Sequence, residues 1–268
     1  ARGSLWRAAP AIDEGSARAE VEVLARLATP CAARGLDVPV FQASPEEAVI
    51  AASSPAYERG ASAFFGWLDT SFGSEPGALL LGLWSLAPTR TPFDASRWAG
   101  TPTDFDVLRT SLRDGLWPGS TIDDVVVRFA LARATMAPPA RIAWRVPWPV
   151  SARRLASPRP VAPTGASYVV VDHAGAPPGS KLRVEAAWED YGRLRWVVAK
   201  LDATGHAMGE VSIPSLDRAT HTSMTIESLD GVDRLLIVCV NVGSTEHVFD
   251  PDQAEWEPHG WLLTLEGE

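Results

Sequence analysis

The residues best suited to holding a metal ion are five histidines, and all of them lie in the second half of the chain. They are His173, His206, His221, His247 and His259. No two of them are four residues apart on a predicted helix, and a zinc site needs three or four ligands at short distance. The scattered positions therefore favour surface and turn histidines over a zinc centre built from histidines alone.

One carboxylate in the first half of the chain has unusual neighbours. A helix is predicted over residues 12–28, and the residues that share a face with Glu14 are Ala17, Val21 and Leu24. A carboxylate on an apolar face needs a hydrogen-bonding partner or a cation. The simpler interpretation is an acid at a helix N-terminus, partly exposed and stabilised by the helix dipole. The spacing alone favours this simpler interpretation.

Other motifs that carry chemistry are absent or weakly marked. The sequence contains no G-x-S-x-G, no G-x-x-x-x-G-K-[ST], no G-x-G-x-x-G and no C-x-x-C. Asp250, Asp252 and Glu255 offer the hard oxygen atoms that calcium prefers. An acidic, solvated loop explains these three residues more simply.

The elements that would position these residues change period along the chain. Up to about residue 135, apolar residues recur at helical spacing, as in Phe64, Phe65, Leu68 and Phe72. Helices are predicted over residues 12–28, 46–52, 56–72, 78–86, 104–116 and 121–134. The last of these begins at a capping residue, Thr121, followed by two acids that suit a helix N-terminus.

Beyond residue 165 the period switches from 3.6 to 2. Alternation of apolar and polar residues predicts strands over residues 181–188, 194–198, 222–226 and 261–265. Residues 168–171 and 235–242 are more continuously apolar, as in a central strand buried on both faces. Some seven short strands separated by turn residues predict a β-sandwich of about 100 residues.

A proline-rich stretch lies between these two parts. Seven prolines fall within residues 136–165, and each one fixes φ and removes a backbone donor. We expect an extended, surface-packed connector without persistent regular structure. The predicted fold class is thus α+β: a helical domain over residues 1–135, a connector over 136–165 and an antiparallel β-sandwich domain over 166–268.

The charge of the chain argues against a nucleic-acid partner. Acidic residues number 33 and basic residues 24, so the formal net charge is −9, and that sign repels a polyphosphate backbone. The densest basic stretch, residues 141–159, lies in the connector and lacks interleaved aromatic residues. No apolar run approaches the roughly 20 residues needed to span a bilayer.

The two cysteines, Cys31 and Cys239, fall in different halves of the chain. A disulfide between them would have to tie the halves together. Two buried free thiols are the simpler interpretation, because Cys239 lies inside an apolar predicted strand. The sequence leaves the disulfide status open.

The N-terminal segment carries a resemblance to a known family. Trp6 followed by Asp13-Glu14-Gly15-Ser16-Ala17 resembles the third-ligand helix of gluzincin-type zinc metalloproteases, in which W-…-E-[GA]-x-A follows the H-E-x-x-H helix. Residues 64–73 and 121–134 look like the helical tail of such domains. The order of helical tail, proline-rich connector and β-sandwich is similar to that of a set of secreted metalloproteases. The resemblance implies that Glu14 is a zinc ligand and that the protein is secreted or held in the cell envelope.

The chain departs from this family because H-E-x-x-H is absent. In the family its two histidines hold zinc and its glutamate activates the attacking water. Glu14 alone cannot hold a catalytic zinc, so we expect no peptide hydrolysis by this chain alone. The chain is then a processed C-terminal product docked to the N-terminal fragment of its precursor, a portion whose preceding segment is missing, or a degenerate relative.

The alternative function is that of a non-catalytic binding or structural protein, whose β-sandwich docks a protein or glycan partner. Tryptophans exposed among Trp188, Trp196, Trp256 and Trp261 would favour a glycan, because an aromatic ring offers a flat apolar surface. Burial of all four would remove the main support for the glycan version.

Overall fold

Six helices precede nine strands in the part of the chain that the structure describes. This computed structural model describes residue 23 and residues 37–49, 54–90, 104–113, 121–214, 219–243 and 257–268. The helices are α1 (Val38–Ala43), α2 (Pro55–Gly60), α3 (Ser62–Phe72), α4 (Ala78–Arg90), α5 (Asp104–Arg113) and α6 (Ile122–Thr135). The strands are β1 (Trp144–Pro147), β2 (Arg153–Ala156), β3 (Ala166–Asp172), β4 (Leu182–Trp188), β5 (Leu194–Leu201), β6 (Ala207–Ile213), β7 (His221–Ile226), β8 (Arg234–Asn241) and β9 (Trp261–Gly267).

This order confirms the predicted α+β class, with a helical region followed by a β-sandwich. The strands form a five-stranded sheet in the order β1-β3-β8-β5-β6 and a four-stranded sheet in the order β2-β9-β4-β7. All pairs are antiparallel except β1 with β3, which run parallel. None of the helices in the described ranges is both long and apolar enough to cross a membrane.

The helical region has its own core, built mainly from aromatic and leucine side chains. Phe64, Phe65 and Leu68 of α3 are almost fully buried and pack with Phe129 of α6. Phe64 meets the Phe129 ring edge to face, with ring centroids 4.8 Å apart, a favourable geometry for an aromatic pair. The helical spacing that predicted these residues as one face is therefore confirmed for α3 and α6.

Helix α6 begins at a capping box formed by Thr121 and Asp124. Thr121 Oγ1 accepts a hydrogen bond from the Asp124 backbone N–H, and the Asp124 carboxylate accepts one from the Thr121 backbone N–H. This reciprocal capping box satisfies two backbone donors that a helix N-terminus otherwise leaves unpaired.

Two helix predictions need correction. The predicted helix 56–72 is two helices, α2 and α3, which meet at Ala61. The predicted helix 46–52 does not form over residues 46–49, which are turn and bend, whereas the unpredicted α1 precedes them. Backbone groups in this segment bond to the sandwich instead: Ala162 N–H donates to the Glu46 carbonyl and Val49 N–H donates to Thr164 Oγ1. The predicted helix 12–28 lies outside the described residues except at Val23, which is helical.

The core of the sandwich lies between the two sheets and is closed by their inward side chains. Strands β3 and β8 are buried on both faces, as their continuous apolar sequence predicted. Val169 and Val171 of β3 face the four-stranded sheet, whereas Tyr168 and Val170 face α6. The Tyr168 hydroxyl donates a hydrogen bond to the Ala130 carbonyl of α6 at 2.8 Å. Helix α6 therefore covers the outer face of the five-stranded sheet.

The proline-rich stretch differs from the prediction because it contains two short strands. Strand β1 extends the five-stranded sheet beside β3, and β2 extends the four-stranded sheet beside β9. Both lie at sheet edges, where a proline costs no ladder hydrogen bond. Trp144 joins the two by donating its indole N–H to the Ala156 carbonyl at 2.8 Å. The predicted domain boundaries at residues 135 and 165 stay a prediction.

Candidate functional site

The predicted metal ligands are only partly covered by the structure. Glu14, the proposed zinc ligand, lies outside the described residues, as do His247 and the acids at 250, 252 and 255. Within the ranges described above, no three His, Cys, Asp or Glu side chains gather closely enough to hold a metal ion. The ligand role of Glu14 therefore stays a prediction.

The four histidines that the structure describes lie apart from one another. His173 Nδ1 is 2.7 Å from the Val232 carbonyl, and His259 Nδ1 is 3.4 Å from Glu189 Oε2. His206 lies in an exposed turn, where its Nδ1 is 2.6 Å from Thr204 Oγ1. His221 is exposed at the start of β7. This arrangement agrees with the interpretation of turn and surface residues for all but the buried His259.

The tryptophans that were candidates for a sugar-binding surface are core residues where the structure describes them. Trp188, Trp196 and Trp261 are exposed by 9%, 1% and 3%, and Trp256 lies outside the described residues. Trp196 and Trp261 pack edge to face inside the sandwich, with ring centroids 5.7 Å apart. Their burial removes the support that these three residues would have given to a glycan-binding function.

Cys239 is a free thiol in the interior of the sandwich. Its side chain belongs to the core between the two sheets, whereas the helical region contacts the opposite face of β8. Burial raises the pKa of the Cys239 thiol well above its usual range, so the thiol stays protonated and unreactive. This supports the free-thiol interpretation for Cys239; Cys31 lies outside the described residues.

A buried arginine of the last helix holds the turn that follows α1. Arg133 of α6 is 1% exposed, and its Nε donates to Gln42 Oε1 at 3.1 Å. Its guanidinium also donates to the carbonyls of Phe41 and Pro45 and lies 3.6 Å from the centre of the Phe41 ring. The cation is thus stabilised by carbonyl dipoles and an aromatic face instead of a carboxylate. Arg133 fixes the turn that ends α1.

The same turn carries a buried carboxylate that binds two arginines of the proline-rich stretch. Glu46 Oε1 accepts hydrogen bonds from Arg141 at 2.6 Å and from Arg159 at 2.8 Å. Burial by itself raises the pKa of the Glu46 carboxyl, but its backbone N–H and the two arginines together lower it below its usual value. We call Gln42, Glu46, Arg133, Arg141 and Arg159 the joint. The joint adds ionic and polar contacts to the apolar packing of α6 on the five-stranded sheet.

Sequence analysis missed the joint, although one signal was present. Arg133 follows Phe129 by four residues and Ala130 by three, so it lies on the apolar face of its helix. An arginine on such a face has to find acceptors inside the protein. Glu46 gave no comparable signal, because its two partners lie 95 and 113 residues further along the chain.

The outer face of the four-stranded sheet differs from that of the five-stranded sheet, since no described helix covers it. We call it the open face. It holds a depression of about 380 Å³, whose lining includes Arg154, Glu185, Ala187, His221 and Leu262. Several of its lining residues, among them Ala187 and Ser223, have small side chains. Leu262 is 61% exposed, which is unusual for a leucine in a sheet.

The basic stretch of residues 141–159 is divided by the fold into paired and unpaired arginines. Arg141 and Arg159 bind Glu46, and Arg145 binds Asp172 at 3.1 Å. Arg153 and Arg154 are exposed on the edge strand β2, and their side chains make no ion pair or hydrogen bond in the described part of the chain. A local positive charge therefore remains beside the open face of an otherwise acidic protein.

A second cleft, of about 600 Å³, lies in the helical region. Val23, Trp67, Asp69 and Met136 are among its lining residues. The Asp69 carboxylate is already engaged, because it accepts hydrogen bonds from the backbone N–H groups of Gly77 and Leu79 at the start of α4. The cleft is therefore mainly apolar, and it borders the only described residue of the helix predicted to carry Glu14.

Comparison with known proteins shows only distant structural similarity. No family model matches the sequence, and no curated protein matches it. The chain is similar to the pre-peptidase C-terminal domain of collagenase from Bacillus anthracis, with 7% identity, a TM-score of 0.29 and coverage of 48% of this chain and 97% of that one. It is also similar to a CBM4 structure, with 17% identity, a TM-score of 0.24 and coverage of 44% and 82%. These are distant similarities to β-sandwich domains and do not extend to function.

Proposed function

We propose that this chain is the C-terminal portion of a secreted zinc metalloprotease of the gluzincin type and is not catalytically complete alone. Glu14 is the third zinc ligand in this proposal. The other two ligands come from an H-E-x-x-H segment, which belongs to an N-terminal fragment of the same precursor or to another protein. The zinc ion then supplies the Lewis acid that activates water.

The observation that supports this proposal is the placement of Val23. This residue lies nine positions after Glu14 within the predicted helix 12–28, and the structure shows it as helical and 7% exposed. Its side chain belongs to the helical core and lies over Gly66 of α3. If the predicted helix 12–28 forms, the packing of Val23 attaches it to the helical core. Glu14, about two and a half turns earlier, would then lie on the opposite side of that helix, where it could face the segment that holds the other two ligands.

The intact mass of the natural gene product tests the proposal. We expect a primary product heavier than the 28.7 kDa of this chain, with an additional N-terminal segment that contains H-E-x-x-H. A natural product that contains no such segment, either in this chain or in a co-purifying fragment, would contradict the proposal.

A second candidate function rests on a different observation, the outer face of the four-stranded sheet, which no described helix covers. We propose that the sandwich docks a partner there, whether or not the helical region takes part in a zinc site. Substitution of Ser223 by Trp would fill the depression, because Ser223 is an exposed residue in its lining. A ligand from a peptide library or a glycan panel that binds the full chain should lose binding to Ser223→Trp. Unchanged binding of every such ligand would place the docking site elsewhere.

A further inference from the structure

We propose that the open face binds an extended segment of a partner protein in which an acidic residue stands beside an apolar one. Arg154 binds the carboxylate, and Leu262 and Ala187 contact the apolar side chain. This inference rests on the proposal that the sandwich docks a partner, and it names the site and the chemistry of the partner.

The register of the sheet places these residues in two adjacent rows across the four strands. One row is Arg154, Thr264, Glu185 and Ser223, and the next is Ala156, Leu262, Ala187 and His221. Neighbouring strands lie about 4.8 Å apart, so each row spans about 14 Å from β2 to β7. The rows therefore offer a polar track beside an apolar one, of a length that suits several residues of an extended chain.

The charges on this face favour a carboxylate at Arg154. Glu185, the acid in the same row, is bound to Arg183 at 2.5 Å, so its charge is already compensated. Arg154 has no partner within the described residues, and an exposed guanidinium presents a planar pair of donors that fits a carboxylate. A partner acid would complete a pair that the fold leaves open.

The apolar contacts favour a peptide over an anionic glycan. No Trp, Tyr or Phe side chain lines the depression, so among the described residues a sugar ring would find only the imidazole of His221 to stack on. Leu262 is instead an exposed aliphatic side chain, and Ala187 pairs with it across β4 and β9. An aliphatic side chain of a peptide buries apolar area against both residues, which supplies favourable free energy.

The test is selection of a random peptide library, displayed on phage, against the full chain. The selected peptides are synthesised with a fluorescent label, and their binding is measured by fluorescence polarisation. The variants are Arg154→Glu, Leu262→Ser and the control Arg128→Glu, which changes the charge equally on an exposed residue of α6. A thermal melt of each variant checks that it is folded; among the described residues Arg154 has no hydrogen-bonded or ionic partner that the substitution would remove.

We expect enriched peptides to carry Asp or Glu beside an aliphatic residue. Because a hydrogen bond to a charged group is a strong one, Arg154→Glu should weaken binding by at least about tenfold. Leu262→Ser should weaken binding by several-fold, and Arg128→Glu should leave it nearly unchanged. Higher salt should also weaken binding, since the contact is exposed.

Several outcomes would overturn the inference. Peptides without an acidic preference, or acidic peptides that bind Arg154→Glu as well as the parent chain, would contradict the role of Arg154. Binding of an oligogalacturonate probe that is lost in Arg154→Glu, with no peptide selected, would identify an anionic glycan instead. Peptides lost in Ser223→Trp but kept in Arg154→Glu would overturn this inference while leaving the docking proposal intact, and the absence of any binder would remove both.

Discussion

Replacement of Glu46 by Gln tests how much the joint stabilises the contact between the helical region and the sandwich. The substitution keeps the shape of the side chain but removes its charge, so Arg141 and Arg159 lose their shared carboxylate. Each hydrogen bond to a charged group contributes about 1.5–3 kcal/mol. The two arginine side chains are 38% and 57% exposed, so water competes for them, and the Gln amide oxygen still accepts one hydrogen bond. We therefore expect the free energy of unfolding to fall by about 1–3 kcal/mol.

The assay is urea denaturation of the full chain near neutral pH, followed by tryptophan fluorescence. The matched control is Glu210→Gln, which removes one negative charge from an exposed residue of β6. An exposed charge without structural partners contributes little, so the control should stay within about 0.5 kcal/mol of the parent chain. Equal stability of Glu46→Gln and the parent chain would refute the structural role of the joint.

The same pair of proteins predicts a specific dependence on pH. The pKa of Glu46 is lowered in the folded protein, so its contribution to stability is present above the pKa of an unfolded glutamate, about 4.3. The contribution is lost as the pH falls below that value and through the lowered folded pKa. The stability difference between the parent chain and Glu46→Gln should therefore be constant near neutral pH and shrink below about pH 4. A difference that grew on acidification would contradict the assigned direction of the shift.

Three further predictions follow from buried contacts. Gly165→Ala should destabilise the protein by more than about 1 kcal/mol, because a Cβ there would collide with the Glu46 carbonyl. The control is Gly82→Ala in α4, where nothing lies within 4 Å of the added Cβ, and it should stabilise the protein by about 0.5–1 kcal/mol. A melting temperature of Gly165→Ala equal to that of the parent chain would refute the close approach. Arg133→Met should lower the free energy of unfolding by about 2–5 kcal/mol, since it leaves the carbonyls around α1 without their donor, and an unchanged urea midpoint would contradict this. In a Cys31→Ser chain, Cys239 should react with a thiol reagent only after unfolding, and rapid labelling of the native protein would show that the sandwich interior is open.

Much of the sandwich could be predicted because its strands alternate clearly or are continuously apolar. Strands β3, β4, β5, β7, β8 and β9 all fall on predicted segments. Strand β6 was missed because it is an exposed edge strand in which only Ile213 is buried, so its sequence carries little alternation. Strands β1 and β2 were missed because prolines flank or end them. A proline-rich sequence is therefore compatible with an edge strand and does not by itself exclude a strand.

The helical region was less predictable where tertiary contacts decide the backbone. Residues 46–49 have a helical composition, but their backbone groups bond to the sandwich around Thr164, which no local pattern reveals. The open face could not be predicted because it depends on which sheet α6 covers. Which arginines of residues 141–159 form ion pairs depends on Glu46 and Asp172, which lie far from them in sequence. Ion pairs between residues so distant in sequence depend on the fold and cannot be predicted from a local sequence pattern.

The central claim, that Glu14 is a zinc ligand in the complete protein, is tested most directly by elemental analysis. Zinc is measured in the intact natural protein, with its N-terminal part present, and in its Glu14→Gln and Glu20→Gln variants. Glu20 is predicted to lie on the polar side of the same helix, so its substitution is the matched control. Loss of one ligand of three weakens zinc binding strongly. The account predicts nearly one zinc per molecule in the parent and in Glu20→Gln, and a large loss in Glu14→Gln. Equal, stoichiometric zinc in all three proteins would contradict it.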